Sequence, residues 1–257
     1  MHILLTNDDG LLAPGLLAAY AGLKARGHRV TACAPDSQRS ASSQAVTLNR
    51  PIKAAPWAMP DGATGFAVYG TPADCARLGL LALAREPVDL VVSGLNDDTN
   101  LGYDINYSGT VAAALEAAAA GYPALAASVE RAGTMDWDLA AWVLTSVVDS
   151  LGTWKLAPGV GLNLNIPARL STGRDVWFWT RTKPEANPDY YEGEPHPDGS
   201  VLYQRRRPLE PAPDPGREPE NDVEHLRRGH ITLSPILPHT CPEALLARLA
   251  AAGPAGR

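Results

Sequence analysis

The chain has neither a G-x-G-x-x-G fingerprint nor a Walker loop with its lysine, which argues against a nucleotide-cofactor oxidoreductase. No segment approaches the ~20 apolar residues of a membrane span. The short apolar run Ile3–Thr6 lacks the basic start and long apolar stretch of a signal peptide. Cysteine is scarce: Cys33, Cys75 and Cys241 form no C-x-x-C pair, so neither a zinc cluster nor a disulfide framework is expected. Buried free thiols in a reducing cytosol fit this usage, and a cytoplasmic location is expected. Positive charge is in deficit, with a net charge of −6. That disfavours a nucleic-acid polymer or an anionic membrane as partner, but a small anion can still be held at a local site. The six histidines show no paired ligand spacing.

Aromatic residues make up only 6% of the 257 residues, yet 45% are hydrophobic. Ala, Leu and Val must therefore supply most of a real core. The first half alternates strand and helix. Ile3–Thr6, His28–Ala34, Phe66–Tyr69, Leu90–Ser93 and Leu125–Ser128 read as strands. Helical patterns run from Pro14 to about Gly27, and over Thr71–Leu83, Ser108–Ala120 and Trp137–Leu151. Such repetition predicts an α/β fold, a mostly parallel sheet with helices on both faces.

The second half changes character. Leu162–Ile166 alternates like a strand. From Thr182 to Asn221 the chain is rich in Pro, Glu, Asp and Arg and predicts an extended hairpin arm with Val201–Arg206 as one strand. Ile231–Leu237 is again strand-like, and Thr240-Cys241-Pro242-Glu243 is a capping box for a last helix. The expected organisation is a core over 1–181, an arm over 182–228 and a returning strand and helix over 229–257.

Three polar clusters directly follow predicted strands: Asn7-Asp8-Asp9-Gly10, Pro35-Asp36-Ser37-Gln38-Arg39-Ser40, and Gly94-Leu95-Asn96. In parallel sheets such loops converge beyond the carboxyl ends of the strands. Two carboxylates, a hydroxyl and a carboxamide offer hard oxygen ligands, which suit Mg²⁺ or Mn²⁺ rather than zinc. A fourth cluster, Asn106-Tyr107-Ser108-Gly109-Thr110, opens the Ala-rich helix. A helix N-terminus presents unpaired N–H groups to an anion. A metal beside a phosphate-sized anion site is the layout of metal-assisted phosphoester hydrolysis. Each element alone also has a plainer reading: adjacent Asp residues as turn formers, Ser108 or Thr110 as a helix cap, and Asp74 as a first-turn acid.

The ordered series resembles the SurE (survival protein) phosphatase family. It comprises Ile3–Gly10 with Ala13-Pro14-Gly15, Ala34-Pro35-Asp36 with Arg39-Ser40, Gly70–Cys75, Val91–Asn96, Asn100-Leu101-Gly102 and Tyr107–Val111. Asn163–Pro167 and Gly229–Pro235 resemble later family segments. The resemblance implies a Rossmann-like core and one divalent cation per subunit on Asp8, Asp9, Ser40 and Asn96, with Asp8 and Asp9 catalytic. It further implies hydrolysis of nucleoside 5′- and 3′-monophosphates, polyphosphate as a substrate of some members, and a homodimer or homotetramer with exchanged C-terminal arms. Asn100, Ser108, Gly109 and Thr110 are the expected phosphate contacts.

The chain departs from the family at Leu12, where His is common, and at Ala41, where Gly is usual. Asp97 and Asp98 replace small residues, and Glu220-Asn221-Asp222 replaces Gly-Thr-Asp. The extra acids keep a second reading open, a nucleotide- and metal-binding sensor with impaired catalysis. Whether Asp8 acts as general base or as nucleophile is also open at this level.

Overall fold

The computed structural model describes residues 1–238 apart from 155, 158, 209–213 and 215. Nine strands form one sheet in the order β3-β4-β2-β1-β5-β6-β7-β11-β8. The strands are β1 (His2–Thr6), β2 (Arg29–Pro35), β3 (Ala54–Ala58), β4 (Thr64–Val68), β5 (Leu90–Asn96), β6 (Ala124–Val129), β7 (Gly161–Ile166), β8 (Trp177–Trp179) and β11 (Ile231–Ile236). From β4 through β7 all neighbours are parallel. Antiparallel pairs occur only towards the edges, β3 on β4 and β11 on β7.

The strands are apolar on both sides because helices cover both faces. Ile3, Leu5, Val92 and Leu125 pack with Leu16, Leu23, Leu144 and Val147 of helices α1 (Pro14–Ala25) and α4 (Trp137–Trp154). Leu4, Val91 and Ala126 point the other way, onto Cys75 of α2 (Pro72–Leu78) and Val111, Ala114 and Ala118 of α3 (Gly109–Ala119). Alanine dominates the inner face of α3, and its small side chains allow the helix to lie close to the sheet.

Four details escaped the sequence pattern. Strand β3 carries Pro56, which is tolerated because the strand lies on an edge. Strand β8 has only three residues. Helix α5 (Asp222–Arg227) is a short, charged helix capped by the Asn221 side chain. Beyond Leu78 the helical run Thr71–Leu83 changes to π geometry over Gly79–Leu83. Asp74 forms the expected first-turn acid as half of a capping box with Thr71. Within the segment 182–228, β9 (Tyr190–Pro195) and β10 (Val201–Arg206) pair antiparallel and are exposed along both strands. The predicted final helix and Cys241 lie outside the described residues, and Cys33 and Cys75 are buried free thiols.

Candidate active site

The chain turns from β1 to β2 and β4 on one side, then returns to β5 on the other side of β1. The strand order therefore reverses between β1 and β5, and the crevice at that point is where such sheets bind ligands. The loops after β1, β2 and β5 all open there. The first is a closed turn: Asn7 Nδ2 donates to Gly10 O at 2.9 Å, and Gly10 N donates to Asn7 Oδ1 at 3.1 Å. Gly10 has a φ of +108°, a backbone conformation that glycine adopts at no steric cost. This turn projects Asp8 and Asp9 from the sheet edge.

Asp8 is buried, with 5% of its surface exposed. Its Oδ1 accepts the Thr110 hydroxyl, and the Thr110 backbone also bonds to the carboxylate. Asp8 thus sits at the N-terminus of α3, where the helix dipole favours negative charge. Burial nevertheless pushes its pKa up, ahead of the lowering by Thr110. Asp9 is pushed up to about 6, first by burial and then by the charges of Asp8 and Asp97. Two adjacent carboxylates in a desolvated corner are a poor arrangement without a positive partner.

Gln38 Nε2 donates to Asp9 Oδ1 at 3.2 Å and to Ser40 Oγ at 3.0 Å, so one amide bridges two expected ligand atoms. Asn96 donates its amide to the Asp98 carbonyl, leaving its side-chain oxygen as the acceptor. Ser42 Oγ is buried without a hydrogen-bond partner, and a Cβ built on Gly109 would lie 2.9 Å from it and 2.9 Å from Asp8 Oδ2.

A cleft of about 270 Å³ runs along this edge, and Asp8, Ser40, Asn96, Asn100 and Ser108 all line it. Asn100 is firmly held. Its N donates to Asn165 Oδ1 at 2.8 Å, and its O accepts from Asn163 and Asn165 at 2.7 and 2.9 Å. Its Nδ2 donates to Ser128 Oγ at 2.8 Å and keeps one further hydrogen. Two residues on, Gly102 N donates to Asp222 Oδ2 at 2.9 Å. Ser108 caps α3 through Val111 N at 3.1 Å.

Of the expected phosphate contacts, Asn100 and Ser108 face the cleft. Thr110 is fully buried and engaged with Asp8, and Gly109 makes the room that Asp8 occupies. Sequence reasoning named Gln38 and Tyr107 only as members of their clusters, and missed Ser42, Arg131 and Arg205. Gln38, Tyr107, Arg131 and Arg205 all line the cleft, but only folding brings β10, the end of β6 and the start of α3 together.

The profile of the family described as Survival protein SurE matches residues 3–187. The chain belongs to the SurE family. Proteins named 5′-nucleotidase SurE from Maridesulfovibrio salexigens and Kosmotoga olearia are 40% and 37% identical to it over 242 and 236 residues. Each alignment covers 92% of this chain and 92% of the relative. The crystal structure of the SurE protein from Aquifex aeolicus superposes with a TM-score of 0.81 at 27% identity, covering 98% of this chain and 99% of that one.

Within this SurE-family fold, the oxygen donors fit a hard divalent cation. Among the described residues no three His, Cys, Asp or Glu side chains converge, and the expected set of Asp8, Asp9, Ser40 and Asn96 has only two such side chains. Asn96 already presents oxygen rather than nitrogen, and Gln38 shows that Asp9 and Ser40 reach a common point. No helix among the described residues is long and apolar enough to cross a membrane.

Proposed function

We propose that this chain is a metal-dependent phosphomonoesterase that releases phosphate from nucleoside 5′- and 3′-monophosphates. The observation that carries the reading is the Asp8–Asp9 pair at the sheet's switch point, with the Ser40 and Asn96 oxygens beside it. One Mg²⁺ or Mn²⁺ per subunit would be held by Asp8, Asp9, Ser40 and Asn96. When bound it supplies Lewis acidity towards the phosphoryl oxygen.

The protein groups have separate tasks. Thr110 fixes the Asp8 carboxylate through its hydroxyl and its backbone. Asp8, buried and held by the Thr110 hydroxyl, would serve as general base for water. Asn100 and Ser108 bind phosphate oxygens, joined by the N–H groups at the start of α3 that Asp8 leaves free. Gly109 lets the helix approach Asp8. The Asn163 and Asn165 side chains hold Asn100 in place from beneath.

Release of phosphate from nucleoside 5′- and 3′-monophosphates, nitrophenyl phosphate and short polyphosphate is measured with Mn²⁺, with Mg²⁺ and with chelator. Metal-dependent turnover of the monophosphates is expected. Activity that survives chelation, or binding of nucleotide without turnover, overturns the reading; the second result would make the chain a sensor.

A further inference from the structure

The cleft wall is acidic for a site that must take an anion. Asp8, Asp97, Asp98 and Asp104 line it against two cations, Arg131 and Arg205. Arg205 is engaged elsewhere: its Nε donates to Asp189 at 2.7 Å, and its Nη2 lies 3.7 Å from Asp104. Arg131 is different. It follows β6, so it stands beside the end of β5 that carries Asn96. Its neighbour Glu130 anchors the loop, accepting Ala168 N at 2.9 Å.

The guanidinium is held at two points by one residue. Nε donates to the Asp97 carbonyl at 3.0 Å and Nη2 to Asp97 Oδ1 at 2.8 Å. A guanidinium carries five N–H donors in a fixed plane, so three remain once these two are used. The hydrogen bond to Asp97 and the charges of Asp97, Asp98 and, last, Asp9 favour the charged guanidinium. Asp97 is one of the positions where the sequence departs from the motif series it resembles.

We propose that Arg131 is a substrate-binding residue that donates to the phosphate group of the monoester, and that Asp97 is the positioning residue that orients its guanidinium. This rests on the phosphomonoesterase reading above. A bare acid at position 97 would repel a phosphate dianion. Held by the same acid, the Arg131 guanidinium presents a planar donor array matched to phosphate oxygens. The geometry also gives Asp97 a reason to turn inward, while Asp98 is spent locally, its Oδ1 accepting Thr99 N at 2.8 Å.

The test uses the full chain and the variants Arg131→Gln, Arg131→Lys and Asp97→Asn. Inorganic phosphate binding at saturating Mn²⁺ and Mn²⁺ binding alone are measured by calorimetry, and KM and kcat with a nucleoside monophosphate. Arg131→Gln should raise the phosphate Kd and KM about tenfold, as expected for a lost charge-assisted bond, and leave Mn²⁺ affinity unchanged. Arg131→Lys should recover part of the loss, since charge returns without the planar fork. Asp97→Asn should raise KM by a smaller factor. Unchanged phosphate Kd and KM in Arg131→Gln, with turnover intact in the parent chain, would overturn this proposal and leave the phosphatase reading standing. A changed Mn²⁺ affinity with unchanged phosphate Kd would overturn it as well, making the pair a metal-side device. A parent chain without any monoesterase activity would overturn both.

Discussion

A Cβ on Gly109 would stand 2.8 Å from the Cβ of Asp8. Helix α3 and the loop after β1 approach so closely there that a methyl group has no room. Both partners are buried, so neither can swing away. Gly109→Ala should therefore displace Asp8, costing about 1–3 kcal/mol of stability by overpacking. Turnover should fall about 100-fold, the scale of an ångström-sized misplacement of a reacting group. Thermal denaturation and steady-state kinetics check the two effects separately.

Asp8→Asn tests the carboxylate without disturbing its space. The amide fits the same volume, so the fold should persist, while cation binding and turnover both collapse. The expected loss in kcat is at least about 100-fold, the range for a positioned acid–base group. Calorimetric titration with Mn²⁺ reads the ligand role, and kinetics at saturating Mn²⁺ reads the catalytic one. Wild-type turnover in this variant would remove Asp8 from the mechanism.

Protons and cations compete for Asp9. With its pKa pushed up to about 6, chiefly by burial, the carboxyl must lose a proton before a cation can bind below that pH. Mn²⁺ affinity should be level above about pH 6 and fall about tenfold per unit below it. The linked stability has a definite sign. The folded pKa lies above the unfolded one, so the Asp9 contribution in cation-free protein is favourable at low pH and is lost as pH rises through about 6. Added Mn²⁺ should reverse that trend, and melting curves from about pH 5 to 8 with and without Mn²⁺ show it. Affinity that stays flat over the range would exclude Asp9 as a ligand.

His225 and His230 set an opposing trend. Their Nδ1 atoms lie 3.0 Å apart and His230 stacks on Phe178. One nitrogen must accept while the other donates, so the contact as drawn needs a neutral acceptor. Burial lowers both pKa values, with further lowering of His225 by His230 and of both by Arg228. Their stabilisation is complete above about pH 6.5, the ordinary histidine value, and is lost as pH falls from there. His225→Gln should weaken the acid sensitivity of the α5–β11 corner, read by hydrogen exchange at Leu226 and Ile231.

Asp222 joins three segments. Its carboxylate accepts Gly102 N, Lys183 N and Val223 N, each at 2.9 Å, and it is fully buried. Asp222→Ala strands all three donors and should cost at least about 2 kcal/mol. Because Gly102 follows Asn100 so closely, KM for the phosphate ester should rise as well. Denaturant unfolding and kinetics together check it; a stability loss with unchanged KM would confine Asp222 to the fold.

The β9–β10 hairpin leaves Tyr191, Leu202 and Tyr203 exposed, Tyr203 by 68%. A lone two-stranded hairpin is marginal in water. Its root is tied to the core where Arg207 bonds both oxygens of Asp104, at 2.6 and 3.0 Å, so the exposed apolar side chains along its strands are the part left to meet a partner. Replacing residues 188–206 by a short Gly-Ser turn should convert a dimer or tetramer into monomers in sedimentation. A monomeric parent chain at micromolar concentration would refute the assembly role.

The sequence alone determined the alternation of elements. Apart from β3, the strands from β1 to β7 are largely apolar runs of five to seven residues, and the helices between them carry an apolar face, so local chemistry marks both. It also determined which residue types stand at the carboxyl ends of β1, β2 and β5, because loop length and strand direction follow from the chain itself. Elements with a weak local signal were invisible: β3 contains Pro56, β8 has three residues, and α5 is short and charged.

Tertiary structure decided which partners those residues meet. Nothing in Ser108-Gly109-Thr110 as a sequence says that Thr110 turns to Asp8 rather than to an anion from outside, since that depends on how closely α3 lies on the sheet. The sequence leaves Asp97 without an assigned partner, and β6 brings Arg131 to it across 34 positions of chain. Contacts of that kind arise from the order of strands in the sheet, and strand order depends on long-range packing that no local window of sequence contains.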